Sequence, residues 1–132
     1  MKYLLDTNAV IALLKGEPSI RTRIRKESPS AVGISSIVAH ELYYGAFESQ
    51  RREQNLARVD ALQFEVIAFD MEDARIAGEI RADLATCGTP IGPYDILIAG
   101  QAAARDLVLV THNLREFERV ARLQVQDWVT YG

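Results

Sequence analysis

Apolar and polar positions along the chain fall into two alternating kinds of block. Short continuous apolar runs read as buried strands: Lys2 to Leu5, Ala31 to Ser35, Glu65 to Ala68 and Leu107 to Val110, with a last strand near Gln124 to Trp128. Between them lie longer segments with helical spacing. These are Asn8 to Lys15, stopped by Gly16 and Pro18, then Ser19 to Lys26, Ser36 to Gln50 with Ser36 as the cap, and Glu53 to Leu62. Asp70 opens the clearest helix, running to Ala85, whose stripe Ala77, Ile80, Leu84 and Cys87 faces a core. Gly88, Pro90, Gly92 and Pro93 mark a rigid loop. Pro93 then suits the first turn of a helix to Arg105, and a short helix spans Arg115 to Val120. Strand and helix alternate at spacings that favour parallel crossovers. The expected fold is α/β, a doubly wound and mainly parallel sheet flanked by helices. In such sheets ligands bind beyond the carboxyl ends of strands, where strand order reverses.

The length of 132 residues fits one domain, 1–132, with a core that needs no staple. Apolar runs stay far below the ~18 residues of a membrane span. Met1 to Asp6 holds too short an apolar stretch for a secretory signal, so a cytoplasmic location is expected. The lone Cys87 excludes an internal disulfide and reads as a core filler. A net charge of −3 matters more. A protein that holds nucleic acid through a broad field carries the opposite sign, so any such binding must use local basic patches.

Three carboxylates stand where a doubly wound sheet gathers ligands. Asp6 ends the first strand, Glu41 lies in the helix after the second, and Asp95 sits in the first turn after the Gly92-Pro93 loop. Carboxylates sharing a pocket raise one another's pKa, and a divalent cation removes that conflict. All-oxygen ligands select Mg²⁺ or Mn²⁺ over softer ions, and such an ion suits phosphodiester hydrolysis. Each residue also has a plainer reading. Asp6 could cap a helix, Glu41 could be a solvated charge, and Asp95 could answer the helix dipole.

The motifs that join these acids are Asp6-Thr7-Asn8 after an apolar strand, His40-Glu41-Leu42-Tyr43-Tyr44-Gly45, Pro90 to Ala99 around Asp95, and Val110-Thr111-His112-Asn113-Leu114-Arg115-Glu116-Phe117. In this order and spacing they resemble the PIN-domain ribonucleases, and among them the VapC toxins of bacterial toxin–antitoxin pairs. The resemblance covers essentially the whole chain. It implies Asp6, Glu41 and Asp95 as the catalytic acids, with Asp6 and Asp95 as direct metal ligands and Glu41 as a ligand or the holder of a coordinated water. Many PIN domains place a fourth aspartate where Asn113 stands here, and Glu116 is the nearest acid. Asn113 and Glu116 therefore join the catalytic set at second rank, and a second metal site is in doubt. The implied reaction is Mg²⁺- or Mn²⁺-dependent cleavage of RNA by a metal-activated water, at loops of tRNA or rRNA. Unstacked loop bases are open to protein readout. The family also implies a VapB-like antitoxin, whose Arg or Lys would suit an acidic pocket, and a homodimer.

Other residues admit two readings. Arg115 and Arg119 flank the fourth motif and are the best phosphate contacts. Tyr94 is the best base contact, although packing is the expectation for at least two of Tyr43, Tyr44 and Tyr94. Arg21, Arg23, Arg25, Lys26, Arg51 and Arg52 fit phosphate tracking or a solvated face equally. His40 and His112 read as hydrogen-bonded structural residues, since hard cations prefer oxygen, and Trp128 reads as core. Two rivals remain. A receiver or dehalogenase-type phosphatase would want a second early acid where Asn8 stands, or a lysine after the late strand. A catalytically silent RNA- or protein-binding module on the same fold suits the net acidity, but not the retention of three costly central acids.

Overall fold

A computed structural model describes residues 1–130; Tyr131 and Gly132, inside the domain read from the sequence, lie outside the described residues. The elements are β1 (Tyr3–Leu5), α1 (Thr7–Leu14), α2 (Pro18–Arg25), β2 (Val32–Ser35), α3 (Ser36–Glu48), α4 (Arg52–Asp60), β3 (Glu65–Ile67), α5 (Met71–Thr86), α6 (Pro93–Ala104), β4 (Val108–Val110), α7 (Leu114–Phe117) and β5 (Val125–Gln126). All strand pairs are parallel, in the order β3-β2-β1-β4-β5. The chain winds from β1 outward through β2 and β3, then returns to lay β4 and β5 on the other side. The reversal falls between β1 and β4, where Leu5 pairs with Val110. That junction is the crevice the expected topology called for.

β1, β2 and β4 are buried throughout, as central parallel strands covered on both faces must be. Helices close both faces around one main core, which includes Leu4, Val10, Ile34, Val38, Ile98, Leu109 and Phe117. Trp128 lies in this core, edge-on to Tyr3 with centroids 4.9 Å apart. A second cluster joins α5 to α6 through Ala77, Ile80, Leu84 and Ile96. The two helices approach so closely that a Cβ on Gly100 would stand 2.6 Å from the Ala77 Cα.

The α5–α6 pair is also locked by charge. Asp70 and Asp73 form a reciprocal capping box at the start of α5. Asp73 is 1% exposed and accepts from Gln101 Nε2 at 3.0 Å and from Arg105 at 3.1 and 3.2 Å. Burial alone would push its carboxyl up, but the Arg105 guanidinium and the Asp70 N–H outweigh burial and hold it below the usual carboxylate range. At the far end of α6, Asp106 takes φ 53° while Leu107 N–H and Asp106 N–H return to the carbonyls of Ala102 and Ala103. This is a Schellman ending with an aspartate where glycine is the usual residue.

Three expectations need correction. Cys87 does not fill the core; it is exposed at the C-cap of α5, where the helical stripe has run out. Ser36 does not cap α3. Ser35 does, accepting the Ile37 N–H at 3.0 Å, while Ser36 accepts from Phe69 N–H and ties α3 to the segment after β3. The last strand is only two residues long, because Asp127 turns the chain by accepting the Val129 N–H.

Candidate active site

Asp6 emerges from β1 in extended backbone and caps α1, its Oδ1 accepting the Ala9 N–H at 2.8 Å. Capping and site membership are thus one placement. The side chain is 3% exposed. Burial drives its pKa from 3.8 to about 6. Hydrogen bonds from Thr111 and Ala9 pull against that rise, and the charges of Glu41 and Asp127 add to it.

Glu41 is presented by α3, half-buried, and its Oε1 accepts the Thr7 hydroxyl at 2.7 Å. Thr7 is the residue after Asp6, so the first motif holds the second directly. Asp95 is the third residue of α6, where the dipole and free N–H groups favour an anion. Burial still raises its pKa to about 7, helped by the charge of Glu116, then by Asp6, a hydrogen bond shared with Glu116, and Glu41.

Glu116 reaches into the same crevice from α7. Its Oε1 accepts the Gly92 N–H at 2.9 Å and its Oε2 accepts from the Asn113 side-chain amide. A Cβ on Gly92 would sit 3.1 Å from Asp95 Oδ2 and would press on that carboxylate. Asn113 therefore holds Glu116, and the carboxylate at this corner of the crevice is that of Glu116. Among the described residues no three His, Cys, Asp or Glu side chains stand close enough to hold one ion by themselves. The four acids offer carboxylate oxygens, and two of them have pKa values lifted toward neutrality. That donor set fits a hard cation of the Mg²⁺ type, which takes one or two carboxylates and completes its shell with water and phosphate oxygens.

The surrounding residues divide unevenly. Arg115 and Arg119 are exposed, and Arg119 donates to the Pro90 carbonyl at 3.1 Å. Tyr94 is 46% exposed beside the His40 ring, with centroids 5.4 Å apart. Tyr44 is 60% exposed and Tyr43 is half-buried with its hydroxyl on Asp60. The expectation that at least two of these tyrosines pack away is corrected, because α3 turns Tyr44 outward and Tyr94 precedes Asp95 at the open end of α6. Arg23 is engaged within the fold. It pairs with Glu27 and lies over the Trp128 ring at 4.7 Å. His112 Nδ1 meets Asp127 at 2.9 Å, in keeping with a hydrogen-bonded structural histidine. Sequence reasoning missed Thr111 and Asp127. Thr111 could have been found by symmetry, since it ends β4 as Asp6 ends β1.

Residues 3–123 match the PIN domain family. The chain is 47% identical to the tRNA(fMet)-specific endonuclease VapC of Salmonella typhimurium, over 97% of this chain and 98% of the relative. It is 40% identical to Ribonuclease VapC2 of Haemophilus influenzae strain Rd, over 98% of this chain and 99% of that protein. Among solved structures, DNA-bound VapBC from Salmonella typhimurium superposes with a TM-score of 0.93 at 47% identity, covering 97% of this chain and 98% of that one. VapBC2 from Rickettsia felis, bound to a promoter DNA fragment, gives 0.90 at 35% identity, covering 97% and 99%. The chain belongs to the PIN-domain family, in its VapC branch. Among the described residues, no helix is long and apolar enough to cross a membrane.

Proposed function

We propose that this chain is the toxin of a VapBC-type toxin–antitoxin pair and an Mg²⁺- or Mn²⁺-dependent endoribonuclease acting on tRNA. The observation that carries the reading is the pair Asp6 and Asp95. Both carboxyls are raised, to about 6 and about 7, in one crevice shared with Glu41 and Glu116. Such a cluster is costly without a cation and well suited to one. Asp6 and Asp95 would hold the ion, with Glu41 as the holder of a coordinated water. When bound, the ion neutralises these charges and supplies Lewis-acid chemistry to a phosphodiester.

The protein's own part is positioning. The Thr7 hydroxyl and the Thr111 hydroxyl fix the Glu41 and Asp6 oxygens. Asn113 and the Gly92 N–H fix Glu116 against Asp95. The exposed Arg115 and Arg119, either side of Glu116 in sequence, would supply cations for flanking phosphates, which answers the net charge of −3 by local placement. The names of the Salmonella and Haemophilus relatives support ribonuclease activity, and the former supports tRNA as substrate. The solved VapBC assemblies support a cognate antitoxin, and an Arg or Lys inserted from it would complement the crevice.

The test is cleavage of total cellular RNA by protein freed of partner, with Mg²⁺, Mn²⁺ or chelator, beside Asp6→Asn and Asp95→Asn. Discrete new 5′-phosphate ends in tRNA that need the ion and vanish in both variants are expected. No cleavage under any condition, by variants and parent of equal stability, overturns the reading.

A further inference from the structure

We infer that the cavity beside Asp6, lined by Asn8, Lys15, His112 and Asn113, is a subsite for the phosphate and ribose of the RNA nucleotide next to the one cleaved. The inference rests on the ribonuclease reading above. The cavity measures about 420 Å³, and its remaining walls are Ile11, Ala12 and Val129. It shares a boundary with the acidic crevice. Asn8 lies in the first turn of α1, two positions past Asp6. Asn113 follows Thr111, donating its N–H to the Thr111 hydroxyl at 2.9 Å, and Thr111 in turn donates to Asp6.

The two compartments have opposite chemistry. The crevice presents the carboxylates of Asp6, Glu41, Asp95 and Glu116. The cavity is lined by no carboxylate, and all four of its polar residues carry N–H groups. Among the described residues, Lys15 pairs with no carboxylate and the Asn8 amide has no hydrogen-bond partner. By contrast Arg23, Arg105 and Arg122 are each committed to an acid. His112 is anchored from behind by Asp127. An ammonium and an amide lining a pocket whose other face is aliphatic match a phosphate joined to the apolar side of a ribose. A strand crossing the crevice would place one phosphate among the acids, where a cation is needed, and the adjoining one against these donors.

The experiment measures binding of a single-stranded oligoribonucleotide to the full chain carrying Asp95→Asn, in chelator, over a series of salt concentrations. Lys15→Gln added to that background is expected to weaken binding about fivefold near 0.1 M salt and to flatten the log–log salt slope by about 0.7, the share of one single-strand phosphate. Lys15→Arg should restore both. Arg25→Gln, on α2 and outside the cavity, should change neither. An unchanged slope in Lys15→Gln, an equal loss in Arg25→Gln, or no measurable RNA binding overturns the proposal. Cleavage by the otherwise unmodified protein is scored separately. Cleavage with an unchanged slope removes the subsite alone. A flattened slope without cleavage removes the nuclease reading and leaves the cavity as an RNA contact.

Discussion

The Glu116 carboxylate accepts the Gly92 N–H at 2.9 Å, joining α7 to the loop that launches α6. One oxygen thereby fixes the start of the helix that presents Asp95, while the same group's charge raises the Asp95 pKa. The two effects can be separated. Glu116→Gln keeps a carbonyl oxygen for the Gly92 N–H and removes the charge. The Asp95 midpoint, followed by carboxyl-carbon NMR in chelator, should fall from about 7 toward the ordinary value. A midpoint that stays put would leave the rise to burial and the charges of Asp6 and Glu41.

Asp6 makes the ion-free protein less stable as pH rises. Its folded pKa of about 6 lies above the ordinary 3.8, so between these values the folded state holds a proton that the unfolded chain has lost. Stability from this group is therefore lost from about pH 4 to pH 6 and does not return above. Asp6→Asn keeps the helix cap and removes the charge. In chelator it should be more stable than the parent by about 1–3 kcal/mol at pH 8, with the gap closing near pH 4. Urea unfolding at the two pH values checks this. A gap independent of pH would count against the burial argument.

Ion binding should run the other way. Protons and Mg²⁺ compete for Asp6 and Asp95, so affinity should rise from pH 5.5 to 8 and level off above the higher pKa. Calorimetric titration with Mg²⁺ or Mn²⁺ reads it directly. Thermal stabilisation by the ion should disappear in Asp95→Asn.

Asp73 tests the scaffold apart from the site. Asp73→Ala removes the buried acceptor of the Arg105 guanidinium and the Gln101 amide, which both keep the Ala68 carbonyl, and should cost about 1–3 kcal/mol in urea unfolding. Its pKa is lowered in the folded state, so the Asp73 contribution is present above about pH 4 and is lost on acidification below it. A cost under 1 kcal/mol would mean that solvent replaces the network.

Gly100→Ala should destabilise by about 1–3 kcal/mol, because the added methyl meets Ala77 backbone that cannot step aside. The matching variant Gly78→Ala has open space and should be neutral or stabilising. Equal effects from the two would show that α5 and α6 separate freely.

Much of this was legible in the chain. Buried strands such as Tyr3–Leu5 and Val108–Val110 are continuous apolar runs, and Asp6 is conspicuous directly after the first. The acids were placed by their strand ends and by motif order. What stayed hidden depends on groups far apart in sequence. Nothing local says that Asn113 serves Glu116, that Asp127 sits behind His112, or that Asp73 awaits Arg105. Cys87 misled because helical spacing continues one step past the point where a neighbour covers it. The serines before α3 misled because both can cap, and only the Phe69 N–H decides which one is otherwise engaged.

The register of β1 against β4 carries a consequence for how the protein is made. Leu5 cannot meet Val110 until about a hundred further residues have been synthesised, and closing so long a loop is slow. Asp6 emerges from the ribosome about a hundred residues before Thr111, Asn113 and Glu116. A nascent chain therefore carries its acids dispersed, and the crevice first exists once the segment through Glu116 has emerged.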